Sequence, residues 1–281
     1  MFVVNGTLKL KKVLMSPPAF LKQAAPINAI SVQYADRLLD QEKMLKEYAS
    51  LVSAYQAAGV EVVEQPAFAE TPNAVFARDF GGCVREGYIL GRFKKDIRLA
   101  ERDNYEQKML ELGIPKIAEV TRGYFEGGDF AFIDETTIAI GQIDRTDAQG
   151  IEEIRTQLEA YGYSVHAVPA NPDYLHLDMC FNLVAPKIAI AYTAGLPDAF
   201  LALLDQKGIE VISGSEAMIY QHGYNVQALG NGRVLSLAQN KAINSAMYEL
   251  GLEVIEVEIT ELLKAGGGIH CMTFPLERVA E

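Results

Sequence analysis

The chain is short of cysteine, of basic residues and of long apolar runs, and each shortage removes a class of protein. Three cysteines in 281 residues cannot all pair with one another, so a disulfide framework is excluded and free thiols in a reducing compartment are expected. The most apolar stretch, residues 188–204, is broken by Pro197 and Asp198. It falls short of the roughly 20 clean residues that a membrane helix needs. Lys9, Lys11 and Lys12 arrive before any long apolar run has formed, so no secretory signal is read and a cytoplasmic protein without membrane contact is expected. Lys and Arg number 25 against 37 Asp and Glu, a net charge of −12 with no acidic tail. That field suits a cationic small molecule and is a poor match for nucleic acid. What the chain does have is core material, 49% hydrophobic residues with 22% charged. No low-complexity tract or Pro/Ser linker interrupts it, so residues 1–281 are expected to form one domain.

A helical pattern runs into a glycine and then straight into a strand pattern five times, at Gly59, Gly113, Gly162, Gly208 and Gly251, spaced by 54, 49, 46 and 43 residues. Glycine is the residue that ends a helix in the left-handed conformation without a steric penalty. Ahead of Gly59, Leu45, Tyr48, Val52 and Tyr55 line one helical face within a helix-like piece from Tyr34 to Ala58. Behind it Val60, Val62 and Val63 begin a β-branched run. Between these units lie paired apolar segments split by a short turn, such as NVQALGNGRVLSLAQ, where Asn231-Gly232 signals a hairpin. A period of 43 to 54 residues containing strands and one helix predicts repeated α/β modules, five of them. The fifth is completed by LKLKKVLMSPP from the start and GGGIHCMTFPLER from the end, which closes the set by joining the two ends.

Polar residues interrupt the apolar pattern at equivalent places in the modules: Asn73 and Asp79, Glu126 and Asp129, His176 and Asp178, and His270 with Cys271. Asp79 and Asp129 are 50 residues apart, as are Glu126 and His176. A cysteine, a histidine and several carboxylates in one pocket would supply a nucleophile, an acid/base and a cation clamp. If 176–180 is extended, His176, Asp178 and Cys180 share a face; if 270–271 is extended, His270 and Cys271 point oppositely, which makes His176 the better partner for Cys271. Cys83 and Cys180 read as small core groups, His166 and His222 as fillers, and Asp79 beside Arg78 admits a plain ion pair. A zinc site from His176, Cys180, His270 and Cys271 lacks the usual paired spacings.

The motifs NAVFARD, FEGGD, IGQIDRT, LHLD and GGGIHCMT, in this order between Asn73 and Thr273, resemble the guanidino-modifying superfamily with the pentein fold, which holds arginine deiminases, dimethylargininases and amidinotransferases. The resemblance implies an α/β fold of five ββαβ blades in a ring, a small-molecule guanidino substrate, and neither metal nor other cofactor. It implies Cys271 as the nucleophile that forms a thiouronium, His176 as the acid and then the base, and Glu126 as the group that orients His176. Asp79 and Asp178 would hold guanidinium N–H groups, and Asn73, Arg145 and Arg98 the amino-acid end of the substrate. The oligomeric state stays open, a homodimer being one option. Asp178 and IGQIDRT look like the deiminase side, whereas the chain length and LMSPPAF look like dimethylargininases and small arginine dihydrolases. Those dihydrolases usually carry Asn where Asp79 stands, and the Arg that deiminases place five residues before the nucleophile falls here on Gly266. The expectation is a hydrolase that releases an amine or ammonia from arginine or an N-substituted arginine to give citrulline. Its rivals are an amidinotransferase, a dihydrolase giving ornithine, and a catalytically silent binding protein of the same fold.

Overall fold

The five glycines read as helix ends all take positive φ, between 64° and 83°, in a computed structural model that describes residues 2–21, 31, 32, 34 and 36–280. Each ends a helix and starts a strand. The first unit is β1 (Lys9–Met15), α1 (Gln41–Ala57) and β2 (Glu61–Glu64). The second is β3 (Gly81–Val84), β4 (Gly87–Leu90), α2 (Glu101–Glu111) and β5 (Lys116–Glu119), and the third β6 (Phe130–Phe132), β7 (Thr137–Gln142), α3 (Ala148–Glu159) and β8 (Ser164–Pro169). The fourth is β9 (Phe181–Ala185), β10 (Ile188–Ala191), α4 (Asp198–Gln206) and β11 (Glu210–Ser213). The fifth is β12 (Gln227–Gly230), β13 (Arg233–Leu237), α5 (Lys241–Glu249) and β14 (Glu253–Val257), followed by α6 (Glu261–Lys264) and β15 (Phe274–Val279).

Among the described residues these strands make five separate three-stranded sheets with one internal plan. An antiparallel pair is joined by a helical crossover to a third strand parallel to the middle one, as in β3-β4-β5 and β6-β7-β8. Where only one strand of the first unit is local, β15 supplies the missing partner: it pairs antiparallel with β1, while β2 pairs parallel on the other side. The chain ends therefore share a sheet, as the repeat count required. Asn231 and Gly232, with φ 56° and 71°, make the tight turn between β12 and β13.

Local details depart from the sequence reading. The helix read from Tyr34 begins at Gln41, because the Asp40 side chain accepts the Lys43 N–H at 3.0 Å and caps it there; residue 35 lies outside the described residues. Its buried face is Met44, Tyr48, Leu51 and Tyr55, and Leu45 is 41% exposed. Asp79, Asp129 and Asp178 lie just ahead of the strands, on 3₁₀ turns at Ala77–Phe80, Gly127–Asp129 and Leu177–Met179, and Glu126 and His176 immediately precede the last two turns. Residues 176–180 are therefore not extended. Asp129 Oδ1 accepts the Leu177 N–H at 2.9 Å and draws the chain into the turn, and the Cys180 thiol is turned to Leu177 O in the core.

Candidate functional site

The turns ahead of β3, β6, β9 and β15 bring their polar side chains together. Phe76, Asp79, Arg98, Arg145, Leu175, His176, Gly266, Gly267 and Cys271 line one narrow pocket. Gly267 has no room for a side chain, since a Cβ there would fall 2.4 Å from the Phe76 ring. The loop is tied down at its end by the Arg78 N–H, which donates to Cys271 O at 3.0 Å. Cys271 is 3% exposed, with Sγ 3.7 Å from Asp178 Oδ2 and 3.2 Å from Asn225 Nδ2. Residues 269–272 form a turn and not a strand, so His270 and Cys271 do not diverge. His270 Nδ1 lies 2.8 Å from the same Asp178 Oδ2.

His176 follows a tight three-residue turn: Leu175 takes φ 69° and ψ −67°, and the His176 N–H donates to Tyr174 O at 2.8 Å. That is the rare γ-turn, a strained conformation for a leucine. The imidazole Nε2 is 3.1 Å from Glu126 Oε2 and Nδ1 is 3.7 Å from Asp79 Oδ1. Gly128 makes room for the ring, because a Cβ there would lie 2.6 Å from Nδ1. Asp129 holds the His176 turn at Leu177 and also accepts the Thr146 hydroxyl at 2.7 Å.

Arg98 and Arg145 bring two guanidinium groups to the pocket lining. Arg98 is 1% exposed, with Nη1 2.5 Å from Asp79 Oδ2 and a forked contact from Nε and Nη2 to Glu101 at 2.8 to 3.2 Å. Arg145 Nη1 is 3.3 Å from Glu126 Oε2 and its Nε is 2.7 Å from Asp144. Asp79 is thus paired with Arg98, not with Arg78, whose guanidinium donates to the carbonyls of Gly127 and Phe130. Asn73 is 4% exposed and its Nδ2 has no hydrogen-bond partner. Asp79 Oδ1, Asp178 Oδ1 and His176 Nδ1 are likewise buried without a hydrogen bond.

Charge in this pocket is divided. Burial alone would lower the His176 pKa, but Asp79, Asp129 and Glu126 outweigh it and raise it to about 10. Against burial, the His176 bond and Arg145 hold Glu126 at about 2. Burial, Asp178 and Asp79 push the Cys271 thiol well above its ordinary value, partly offset by the Gly268 and Asn225 hydrogen bonds. Burial also raises Asp79. Burial would raise Asp178, but the bond and charge of His270 together with the charges of His176 and Arg78 outweigh it and lower the pKa.

His176, Cys180, His270 and Cys271 do not gather as a zinc set. Among the described residues, the group with metal-like spacing is Asp79, Glu126 and His176, with donor atoms within 4.8 Å of one another. Two guanidinium groups already serve those carboxylates, and an ion there would have to displace them. His166 is exposed and Cys83 is buried, as read; His222 is buried beside the glycine loop, with burial lowering it to about 4.

Two partners escaped the sequence reading. Glu101 lies three residues beyond Arg98 and completes its fork. Asn225 stands two residues before β12, the place in the remaining module that matches Asp79 before β3, so the repeat itself carries the signal.

A family profile described as N,N dimethylarginine dimethylhydrolase, eukaryotic, matches residues 17–278. An arginine deiminase of Bacillus thuringiensis is 26% identical over 257 residues, covering 74% of this chain and 62% of that one. The N-terminal domain of ArgZ, an arginine dihydrolase from the ornithine-ammonia cycle in cyanobacteria, superposes with a TM-score of 0.85 at 21% identity, covering 95% of this chain and 98% of that one. Dimethylarginine dimethylaminohydrolase of Pseudomonas aeruginosa, solved with citrulline, gives 0.81 at 22% identity, covering 95% and 99%. The chain belongs to the N,N dimethylarginine dimethylhydrolase family, within the guanidino-modifying pentein superfamily.

Proposed function

We propose that the chain hydrolyses a C–N bond in the guanidine of arginine or an N-substituted arginine, giving citrulline and ammonia or an amine. The observation that carries the reading is a pair of buried carboxylate oxygens without donors, Asp79 Oδ1 and Asp178 Oδ1, on residues that flank Cys271. A buried acceptor left unpaired is costly, and a planar cation with five N–H groups is the ligand that satisfies two such carboxylates at once. Arg145 and Arg98, which line the pocket, supply donors for the substrate carboxylate, and the buried Asn73 Nδ2, which has no hydrogen-bond partner, is assigned to the same end of the substrate.

The chemistry then follows from the charges. Arrival of the cation offsets Asp79 and Asp178, the two groups that with burial disfavour the thiolate, so Cys271 ionises when substrate is present. Its sulfur attacks the guanidinium carbon and forms an S–C bond. The tetrahedral adduct collapses, the C–N bond breaks, and the leaving nitrogen takes a proton from His176, which is held protonated by Asp79, Asp129 and Glu126. Neutral His176 next takes a proton from water as its oxygen adds to the thiouronium carbon. The C–S bond breaks as the hydroxyl proton of the adduct passes to solvent, leaving a ureido product and the thiolate. In this reading the five sheets are blades around a ring, residues 1–281 act as one catalytic domain, and the site lies where the turns before the strands meet.

A second reading, dihydrolysis to ornithine, is favoured by the likeness to ArgZ. Asp79, where dihydrolases of this resemblance carry Asn, weighs toward a single hydrolysis. The test is to incubate the protein and its Cys271→Ser variant with arginine, methylated arginines and agmatine, and to separate the products. Citrulline lost in the variant is expected. Ornithine would move the assignment to a dihydrolase, and turnover surviving in the variant would remove Cys271 from the mechanism.

A further inference from the structure

The reading above makes the Cys271 sulfur the attacking atom, and the inference that follows rests on it. That sulfur is in an unfavourable place for a thiolate: buried, with Asp178 Oδ2 at 3.7 Å. An ion pair with a lysine would correct this, but a further fixed cation, added to the protonated His176 of the same pocket, would repel the guanidinium that must approach the sulfur. A neutral donor avoids the conflict. Asn225 offers one, being fully buried with Nδ2 3.2 Å from Sγ.

The orientation of that amide is settled by its other end. Asn225 Oδ1 accepts two successive backbone N–H groups, His270 at 3.0 Å and Cys271 at 3.3 Å. A reversed amide would set its NH₂ against both N–H groups, so the oxygen must face them and the nitrogen must face the sulfur. The glycine at 268 is part of the same arrangement, since a Cβ there would fall 2.5 Å from Asn225 Oδ1. Carbonyl and thioether contacts from Nδ2 to Asp178 O at 3.5 Å and Met179 Sδ at 3.7 Å are longer than the contact to Cys271 Sγ.

We propose that Asn225 is a catalytic residue of this site, whose Nδ2–H donates to the Cys271 sulfur and stabilises the thiolate that forms when substrate arrives, while Oδ1 fixes the nucleophile's backbone. One side chain thereby sets both the position and the ionisation of the sulfur. A hydrogen bond to a charged acceptor is among the stronger ones in proteins, and a buried site strengthens it further.

Asn225→Asp separates this role from a structural one, because it retains an acceptor for both backbone N–H groups and removes the donor. The rate of Cys271 alkylation by neutral iodoacetamide, followed by peptide mass against pH, reports the thiolate without any turnover. In Asn225→Asp the midpoint of that profile should rise by about one to two pH units. With the substrate that the product screen identifies, kcat should fall about tenfold or more while KM stays within about threefold. Asn225→Ala, which removes both functions, should show the same rise; it decides the matter if the Asp variant does not give a cooperative thermal transition. An unchanged alkylation profile in either folded variant, or a loss confined to KM and thermal stability, would overturn the proposal. Turnover surviving Cys271→Ser is a separate result, which removes Cys271 from the mechanism and with it any catalytic role for Asn225.

Discussion

His176 and His270 are both buried and each bonds one carboxylate, His176 to Glu126 at 3.1 Å and His270 to Asp178 at 2.8 Å, yet their acidities are driven in opposite directions. The turn before β9 places His176 among Asp79, Asp129 and Glu126, which overcome burial and raise it to about 10. The turn before β15 places His270 where burial and the charges of Arg78 and Arg278 outweigh its bond to Asp178, lowering it to about 4. The lesson is that one hydrogen bond does not decide a histidine's role; the sum of charges around the ring does. His176, raised to about 10, is charged at neutral pH, as the proton donor of the proposed reaction must be. His270 is neutral there and serves to hold Asp178.

The comparison breaks most visibly in catalysis. His176→Ala should lower turnover by about a thousandfold by removing the general acid, while the thermal transition persists; single-turnover measurement of product release checks this, and near-parental rates would reassign the acid. His270→Ala frees Asp178 without removing the general acid of the proposed reaction, and should cost about tenfold, mostly in KM. Asp178→Asn should raise KM for a cationic substrate by about tenfold or more, since one arm of the clamp loses its charge.

Stability against pH sharpens the same contrast. His270 has a folded pKa near 4, below its unfolded value of about 6.5, so the unfolded chain binds more protons between these limits and stability is lost as pH falls from about 6.5 to 4. His176 lies at about 10, so its contribution is complete below about 6.5 and is lost as pH rises toward 10. Asp129 and Glu101, both raised to about 7 chiefly by burial, slope against His270 in the acid range, so differences between variants isolate each histidine. In urea unfolding, the difference between parent and His270→Gln should change between pH 6.5 and 4 by up to about 3 kcal/mol, and that between parent and His176→Gln between 6.5 and 10 by up to about 5 kcal/mol, with opposite slopes. Slopes of the same sign would undo the comparison.

The smallest effect belongs to the helix ends. Gly59 at φ 80° has nothing within 4 Å of a built Cβ, so Gly59→Ala should cost about 1 kcal/mol from backbone strain alone and leave activity unchanged. Gly128→Ala, by contrast, drives a Cβ against His176 and should reduce activity well before it unfolds the chain.

The two glycines also show what a sequence exposes. Gly59 and its four counterparts were legible because a helix end is a local event, written in the residues on either side of it. The join of β15 to β1 was legible because the repeat left one module incomplete. The turn at 176–180 was not, since the alternation of polar and apolar residues imitates a strand and the Asp129 contact that bends it comes from 48 residues away. The bond between His270 and Asp178 spans 92 residues, and that between Asn225 and Cys271 spans 46. No periodicity encodes such pairs; they exist only once the modules have packed.

The central claim is that Cys271 forms a covalent bond to the guanidine carbon. Acid quenching during turnover with arginine, followed by mass analysis of the Cys271 peptide, tests it directly. The account predicts an adduct of thiouronium mass on Cys271 that appears with substrate, decays as citrulline forms, and is absent in Cys271→Ser. Steady turnover with an unmodified Cys271 peptide at every quench time, accompanied by the same turnover in Cys271→Ser, would contradict it.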